Sequence, residues 1–337
     1  MTTGVLPSHI LSLYRNHPAV GKVTAHFQDQ QDRAAEVTPG TAADDNPRPG
    51  KRFRLNLAGL AGSSRAMVTA AVFEGTTRVH LVVTRERESA AYFLNDLQQV
   101  LSDRVYFFPS SFKRGLRSGI KNNQGLLART EVLNQLNGRA RKFIIVTYPE
   151  ALAELVVNRK YLEKNTLKLS VGEQVNMDFI LDLLVEYEFE RTDFVSEPGQ
   201  FSLRGGLIDV YSFSHDQPYR IEFAGDRVGS IRAFDPATQL SSSRLNEVTI
   251  VPDVRVGSGR STPSESLFAF LPARSVVWLD DTASIAHAME QQPASDLLLG
   301  GSGFLKALLD YSSIEYGHPA YFKTAEPVHF STAPQPS

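Results

Sequence analysis

The sequence predicts an α/β fold: a parallel-sheet layer domain split in sequence, with an α+β domain inserted into it. Three observations carry this. Between Phe53 and Thr147, short apolar β-branched runs alternate with helical spacings, the pattern of a parallel sheet covered on both faces. From Gly206 to Ile250, strands dominate and turn residues separate them. Beyond a loop after Pro252, residues 275–280 read as a buried strand running into a helix over 284–292, so the α/β pattern returns. The expected division is 1–153 for the first part, 154–251 for the insert and 252–337 for the returning part.

Taken in order, residues 6–15 read as a short helix and residues 28–52 as a mobile polar loop, with Thr38-Pro39-Gly40 and Asn46-Pro47-Arg48-Pro49-Gly50 as its turns. A strand over 53–57, a small-residue loop over 58–64, a helix over 65–73 and a strand over 79–83 follow. The helix over 86–101 places Ala90, Phe93, Leu94, Leu97 and Leu101 at helical spacing. Next come a short strand over 105–108 ended by Pro109, a helix over 126–136 and a buried strand over 143–147. In the insert, residues 167–171 read as a strand. Asn176 is an N-cap with Asp178 in the first turn, and Phe179, Ile180, Leu183, Leu184 and Tyr187 form one apolar helix face. The remaining strands are expected over 206–211, 219–223, 227–235 and 248–250.

Composition excludes several function classes. A chain of 337 residues with 42% hydrophobic and 21% charged residues is an ordinary globular protein of two or three domains. A net charge of −2 gives no bulk attraction to nucleic acid or an anionic membrane. The absence of cysteine removes disulfides, thiolate metal sites and cysteine nucleophiles, and fits a cytoplasmic location. No apolar run is long enough to span a bilayer, no signal peptide is expected at the N-terminus, and no membrane partner is expected.

The chemistry-bearing motifs are incomplete. A phosphate-binding loop needs G-x-x-x-x-G-K-[ST] between strand and helix, so that backbone N–H groups cradle phosphate, lysine reaches it and the hydroxyl binds magnesium. Here the same context holds Gly59-Leu60-Ala61-Gly62-Ser63-Ser64-Arg65-Ala66. Ser64 replaces the second glycine, Arg65 the lysine and Ala66 the hydroxyl residue, and alanine cannot ligate magnesium. The reading taken is a tight turn, with no cofactor and no catalytic residue. Asp280-Asp281 at the end of a buried strand resembles the acidic pair of a nucleotide hydrolase; the reading preferred is a loop start or helix cap. The histidines show no H-x-x-x-H ligand pair, and there is no G-x-S-x-G elbow. Lys113, Arg114, Arg117 and Lys121 form a basic cluster that can contact phosphates or simply be solvated.

Arginines of the insert are the sharper signal. Arg191 precedes Thr192-Asp193-Phe194, and Arg204 precedes Gly205-Gly206, with Phe201 three residues earlier. Odd spacing separates faces of a strand unless a bulge intervenes, which Gly205-Gly206 can supply. Arginines and aromatics are enriched at interfaces; the alternative is local ion pairing with Asp193, Glu197 or Asp209.

Residues 172–253 carry Pro198-Gly199-Gln200-Phe201-Ser202-Leu203-Arg204-Gly205-Gly206-Leu207-Ile208-Asp209-Val210-Tyr211, then Arg220-Ile221-Glu222-Phe223-Ala224-Gly225-Asp226, and then Ser230-Ile231-Arg232-Ala233-Phe234-Asp235-Pro236 followed by Thr238-Gln239. This segment resembles the partner-binding domain shared by the transcription-repair coupling factor family and the excision-repair subunit UvrB. The Pro-Gly-Gln-Phe and Phe-Asp-Pro-x-Thr-Gln forms, with the degenerate loop Gly59 to Ala66, are closer to the coupling factor. A weaker match covers 52–170. The resemblance implies the N-terminal UvrB-like module of a longer protein: an inert split α/β domain with an insert that recruits UvrA to stalled RNA polymerase for nucleotide excision repair. It places partner binding on Arg191 and Arg204, with Phe201 as apolar companion. UvrB-like sequences often carry arginine where this chain has Ser202. RNA polymerase and DNA are expected to be met by the remainder of the longer protein, an ATP-dependent translocase. The alternative is an ATP-dependent or directly DNA-binding UvrB-like domain.

Overall fold

A computed structural model describes residues 7–35, 52–111, 123–138, 142–254, 263–293, 295–317, 320–322 and 327–330. The basic cluster at Lys113, Arg114, Arg117 and Lys121 lies outside the described residues, as does most of the expected loop over 28–52. The chain forms two compact units, Met1–Phe108 with Arg139–Glu154 and Ser266–Ser337, and Pro109–Gly138 with Leu155–Glu265.

In chain order, the first unit begins with α1 (Pro7–Arg15), α2 (Pro18–Ala35), β1 (Arg54–Ala58), α3 (Ser64–Glu74), β2 (His80–Val83), α4 (Arg87–Leu101) and β3 (Val105–Phe107). Helix α2 is a correction: its last turns occupy 28–35, where a loop is expected. Helix α5 (Asn123–Asn137) groups with the second unit, after which β4 (Ile144–Thr147) and α6 (Pro149–Ala153) return to the first. The second unit continues with β5 (Val156–Val157), α7 (Arg159–Lys164), β6 (Leu167–Ser170), α8 (Met177–Glu186), β7 (Glu190–Arg191), β8 (Gln200–Arg204), β9 (Leu207–Val210), β10 (Tyr219–Phe223), β11 (Val228–Phe234), β12 (Ser241–Leu245), β13 (Glu247–Ile250) and β14 (Ser264–Glu265). The first unit closes with α9 (Leu267–Phe270), β15 (Val276–Asp280), α10 (Thr282–Glu290), α11 (Gly301–Leu308), β16 (Ser312–Tyr316) and β17 (Val328–His329).

The first unit is built on a seven-stranded sheet in the order β17-β1-β16-β15-β2-β4-β3, every neighbouring pair parallel. Strands covered on both faces need continuous apolar runs, and β2 and β4 are buried at every position. Their faces meet a core that includes Val20, Phe73, Leu97, Val146, Trp278 and Ile314. His80 sits within that core with no solvent exposure. Trp278 Nε1, a donor only, gives its hydrogen to His80 Nδ1 at 3.1 Å, so the ring proton is on Nε2, 2.9 Å from Thr76 Oγ1. Burial, then the charges of Arg78 and Lys142, push the His80 pKa down to about 3. Among the described residues, no helix is long and apolar enough to cross a membrane.

The second unit carries a six-stranded sheet in the order β12-β11-β10-β9-β8-β7, antiparallel except for the β7–β8 pair, and a separate β13–β6 pair. Strands β7, β8 and β12 of this sheet lie outside the set expected from sequence. β12 is polar and exposed, so it lacks the apolar alternation that marks a strand. One sheet face buries Phe201, Ile208, Val210, Ile221 and Ile231. The other carries Ser202, Arg204, Asp209, Arg220, Glu222 and Arg232, because strand residues alternate between faces. Asn176 caps α8, accepting from the N–H groups of Asp178 and Phe179. Of the expected apolar face of α8, Ile180, Leu184 and Tyr187 are buried, but Phe179 is exposed. It is the third residue of the helix, in the first turn next to the cap.

Candidate interaction face and strand–helix loop

The interaction face starts at the short parallel pairing of β7 with β8, which sets Arg191 beside Phe201 in register. Between the two strands, residues 192–199 form a loop that side chains fix at several points. Gln200 Oε1 accepts from Ser196 N at 2.9 Å and Glu197 N at 3.0 Å. Gln239 Nε2 donates to Val195 O at 3.0 Å. Gly199 adopts φ +88°, and a Cβ there would stand 2.6 Å from the Phe213 ring, so the turn requires glycine. The loop thereby displays Phe194, which is 63% exposed.

Arg191, Thr192, Asp193, Phe194, Leu203 and Arg204 line one depression of about 560 Å³. The structure thus brings Arg191 and Arg204 to a common rim. Arg204 reaches Asp209, and its guanidinium lies 5.6 Å from the centre of the Phe194 ring. Arg191 makes no ion pair among the described residues, so of the two arginines only Arg204 follows the local-pairing alternative, with Asp209 as its partner. The Asp209 carboxylate is buried and also takes two bonds from Arg220, Nε to Oδ1 and Nη2 to Oδ2, both 2.8 Å. Those hydrogen bonds, foremost among the causes, push the Arg220 pKa above its ordinary value. Two guanidinium groups on one carboxylate leave the face with a surplus of positive charge.

Two sequence expectations are corrected here. Phe201 is only 2% exposed and packs into the apolar side of the sheet, so it supports the face and cannot be presented to a partner. The Gly205-Gly206 step is the two-residue turn of a hairpin, with Arg204 opposite Leu207 and Gly205 at φ +59°, and it introduces no bulge within β8. Phe201 and Arg204 therefore lie on opposite faces. The exposed aromatic is Phe194, whose signal in the sequence is an apolar residue within a polar, turn-rich loop. Ser202 is buried, and its Oγ has no hydrogen-bond partner.

In the first unit, Gly59 and Gly62 lie in the loop from β1 to α3, and Ser64, Arg65 and Ala66 open α3. Gly59 has φ +83°, and a Cβ on it would lie 2.2 Å from Phe330 O, so only glycine fits. The loop amides turn inward: Ala61 N donates to Ser64 Oγ at 3.0 Å, Ser64 N to Ala61 O at 3.2 Å and Arg65 N to Gly62 O at 3.3 Å. Ala66 is buried in the helix. Arg65 Nη1 binds Asp280 Oδ1 at 2.8 Å, and Arg85 Nε binds Asp280 Oδ2 at 3.2 Å. Asp281, at φ +68°, caps α10 by accepting from Ser284 N; burial raises its carboxyl pKa, but the hydrogen bonds from Ser284 and the Ala283 amide, together with the charge of Arg85, hold it below the usual range. The cavity beside these groups, about 540 Å³, is also lined by Glu315, Tyr316 and Tyr321. It lies at the carboxyl ends of parallel strands, where open α/β sheets bind ligands. Its charged lining is two arginines against three carboxylates, an unfavourable setting for a polyphosphate. Burial pushes the Tyr316 hydroxyl pKa up. Among the described residues no cluster of three metal-ligating side chains occurs.

The chain is thus a split parallel α/β unit with an inserted mixed-sheet unit that carries arginines on its polar face. Residues 167–255 match the UvrB interaction domain family, within the second unit. The chain is 32% identical over 198 residues to the transcription-repair-coupling factor of Bacillus subtilis, covering 58% of this chain and 17% of that protein. It is 31% identical over 216 residues to the transcription-repair-coupling factor of Myxococcus xanthus, covering 62% and 18%. UvrABC system protein B of Gloeothece citriformis is 26% identical over 216 residues, covering 60% and 32%. The matched part is thus no more than about a third of the length of these curated relatives. The chain is similar over about three fifths of its length to transcription-repair-coupling factors and to UvrABC system protein B, with the family match confined to the second unit.

Proposed function

We propose that this chain is a recruitment module for nucleotide excision repair, in which the inserted unit binds UvrA and the α/β unit performs no nucleotide chemistry. The observation that carries the reading is the common rim of Arg191 and Arg204 around exposed Phe194, inside the segment that matches the UvrB interaction domain. Arg191 and Arg204 supply charge, and Phe194 takes the role first expected of Phe201. Within a longer cytoplasmic protein, the remainder meets RNA polymerase and DNA, and this module brings UvrA to a stalled polymerase. The inward-turned amides of Ala61, Ser64 and Arg65, the arginine at 65 and the pairing of Asp280 support a non-catalytic α/β unit over an ATP-dependent one.

Calorimetry of the chain with purified UvrA, without ATP or DNA, tests this. The wild-type chain binds. Arg191→Ala with Arg204→Ala removes roughly 2–5 kcal/mol, at least a thirtyfold loss of affinity. Phe194→Ser weakens binding with unchanged melting. A folded double variant that binds UvrA as tightly as the wild type refutes the assignment, and saturable ATP binding in equilibrium dialysis refutes the non-catalytic reading.

A further inference from the structure

We propose that the edge strand β12, with Arg232 and Arg244 beside it, docks an extended acidic segment of a partner protein as an added strand. This surface is separate from the Arg191–Arg204 rim, which lies at the opposite edge of the sheet, and it does not depend on the UvrA reading.

The β10–β11 and β11–β12 registers place Arg220 opposite Arg232 and Arg232 opposite Arg244. Three guanidinium groups thus stand in a row across neighbouring strands. Like charges directly opposite one another destabilise a sheet. Arg220 is neutralised by Asp209 and lies 4.6 Å over the Phe234 ring. The other two are not compensated to the same degree. Arg232 Nη2 meets Glu222 Oε2 at 3.1 Å, but its Nε is buried without a partner. Arg244 is exposed and makes no ion pair or side-chain hydrogen bond among the described residues. The half-exposed Glu222 carboxylate therefore pairs with Arg232 alone, and Arg244 beside it is left without a carboxylate among the described residues.

Strand β12 ends the sheet, and Ser241, Ser242, Ser243 and Arg244 are exposed. Among the described residues, no backbone bond runs from its outer edge to another segment. Such an edge is a template for strand addition. A strand added there lies about 4.8 Å from β12 and places alternate side chains on the arginine face. A carboxylate opposite Arg244 meets its free guanidinium and extends the row with the charge it lacks. Leu240, 70% exposed at the start of the strand, offers an apolar contact to the same segment. Glu222 on this face and Glu247, two residues past β12, favour a peptide over a nucleic acid: peptide acids are placed singly, whereas a continuous phosphate backbone meets both glutamates.

The test is fluorescence anisotropy of a labelled peptide of about eight residues alternating Glu and Val, titrated with the whole chain, with hydrogen exchange on 241–245. The Glu peptide is expected to bind and its Lys-Val counterpart not to bind. The β12 amides should gain protection. Arg232→Gln with Arg244→Gln should weaken binding by roughly tenfold or more, and the exposed single variant Arg244→Glu should do so with an unchanged circular dichroism spectrum. Arg191→Ala with Arg204→Ala should leave peptide binding intact, which separates this result from UvrA binding. Absent peptide binding, equal affinity in the arginine variants, or unprotected β12 amides overturns the proposal. So does duplex DNA binding more tightly than the peptide through the same arginines.

Discussion

Arg204 and Arg220 share the buried Asp209 carboxylate, yet their removal should have opposite consequences. Arg204→Ala leaves Asp209 with both of its bonds to Arg220, at 2.8 Å each. Arg204 itself is 42% exposed along its side chain, so its pairing contributes no more than about 1 kcal/mol to the fold. Arg220→Ala is different. It removes two hydrogen bonds from a carboxylate that is 1% exposed and leaves it only the partly exposed Arg204, a loss of about 3 kcal/mol, at the low end for a broken buried pair. It also uncovers Phe234, over which the guanidinium lies at 4.6 Å, adding roughly 1 kcal/mol. Urea and thermal denaturation of both variants check this. Arg220→Ala should lower the melting of its unit by roughly 10 °C or more, whereas Arg204→Ala should melt near the wild type while losing UvrA affinity. Equal destabilisation by the two variants would show that Arg204 is scaffolding, and would remove it from the interaction face.

Two further outcomes concern the α/β unit. His80 stays neutral in the fold, with its pKa lowered to about 3, while the unfolded chain takes up its proton near 6.5. Its contribution is therefore complete above pH 6.5 and is lost as pH falls, by about 1.4 kcal/mol at pH 5.5. Chemical denaturation at pH 7 and 5.5 should show that drop and should not show it in His80→Asn, with an equal drop in both proteins counting against the assignment. Gly59→Ala combines a left-handed backbone with a Cβ placed 2.2 Å from Phe330 O. A loss on the order of 3 kcal/mol follows, and wild-type melting of this variant would contradict the close approach.

Periodicity made the parallel layer legible, because β2, β4 and β15 are short apolar runs bounded by helices. It could not reveal β12, whose Ser-Ser-Ser-Arg-Leu sequence is held by pairing to β11 and not by burial. Helix α2 was hidden because its polar second half reads as a loop. At the candidate site, Arg191 and Arg204 stood out as arginines in a dense motif, but which aromatic faces solvent depended on strand parity. Phe201 takes the core face of β8, and Phe194 falls in the loop before it. The Pro-Gly-Gln-Phe and Phe-Asp-Pro-x-Thr-Gln motifs are unusual in the sequence, but their roles lie in backbone contacts that sequence order does not show. Gln200 and Gln239 fix the 192–199 loop through its backbone. Asp235 accepts from the Ala237 and Thr238 amides to shape the turn that carries Gln239.

A non-catalytic α/β unit is proposed from side chains at the end of the parallel sheet. A phosphate loop works when its amides point outward and the neighbouring carboxylate is free to hold a metal. Here Ser64 Oγ takes the Ala61 amide, and Asp280 accepts one bond from Arg65 and one from Arg85. Arg65 also lies 5.7 Å over the Tyr316 ring, so its guanidinium is held from two sides. The amides of Ala61, Ser64 and Arg65 and the Asp280 carboxylate already have protein partners. Binding a nucleotide would require breaking the Arg65–Asp280 pair and then repelling a polyphosphate from Asp281 and Glu315. Geometry and charge thus act in the same direction, which is why the three substitutions at Ser64, Arg65 and Ala66 belong together: the first closes the loop, the second supplies the internal cation and the third packs the helix.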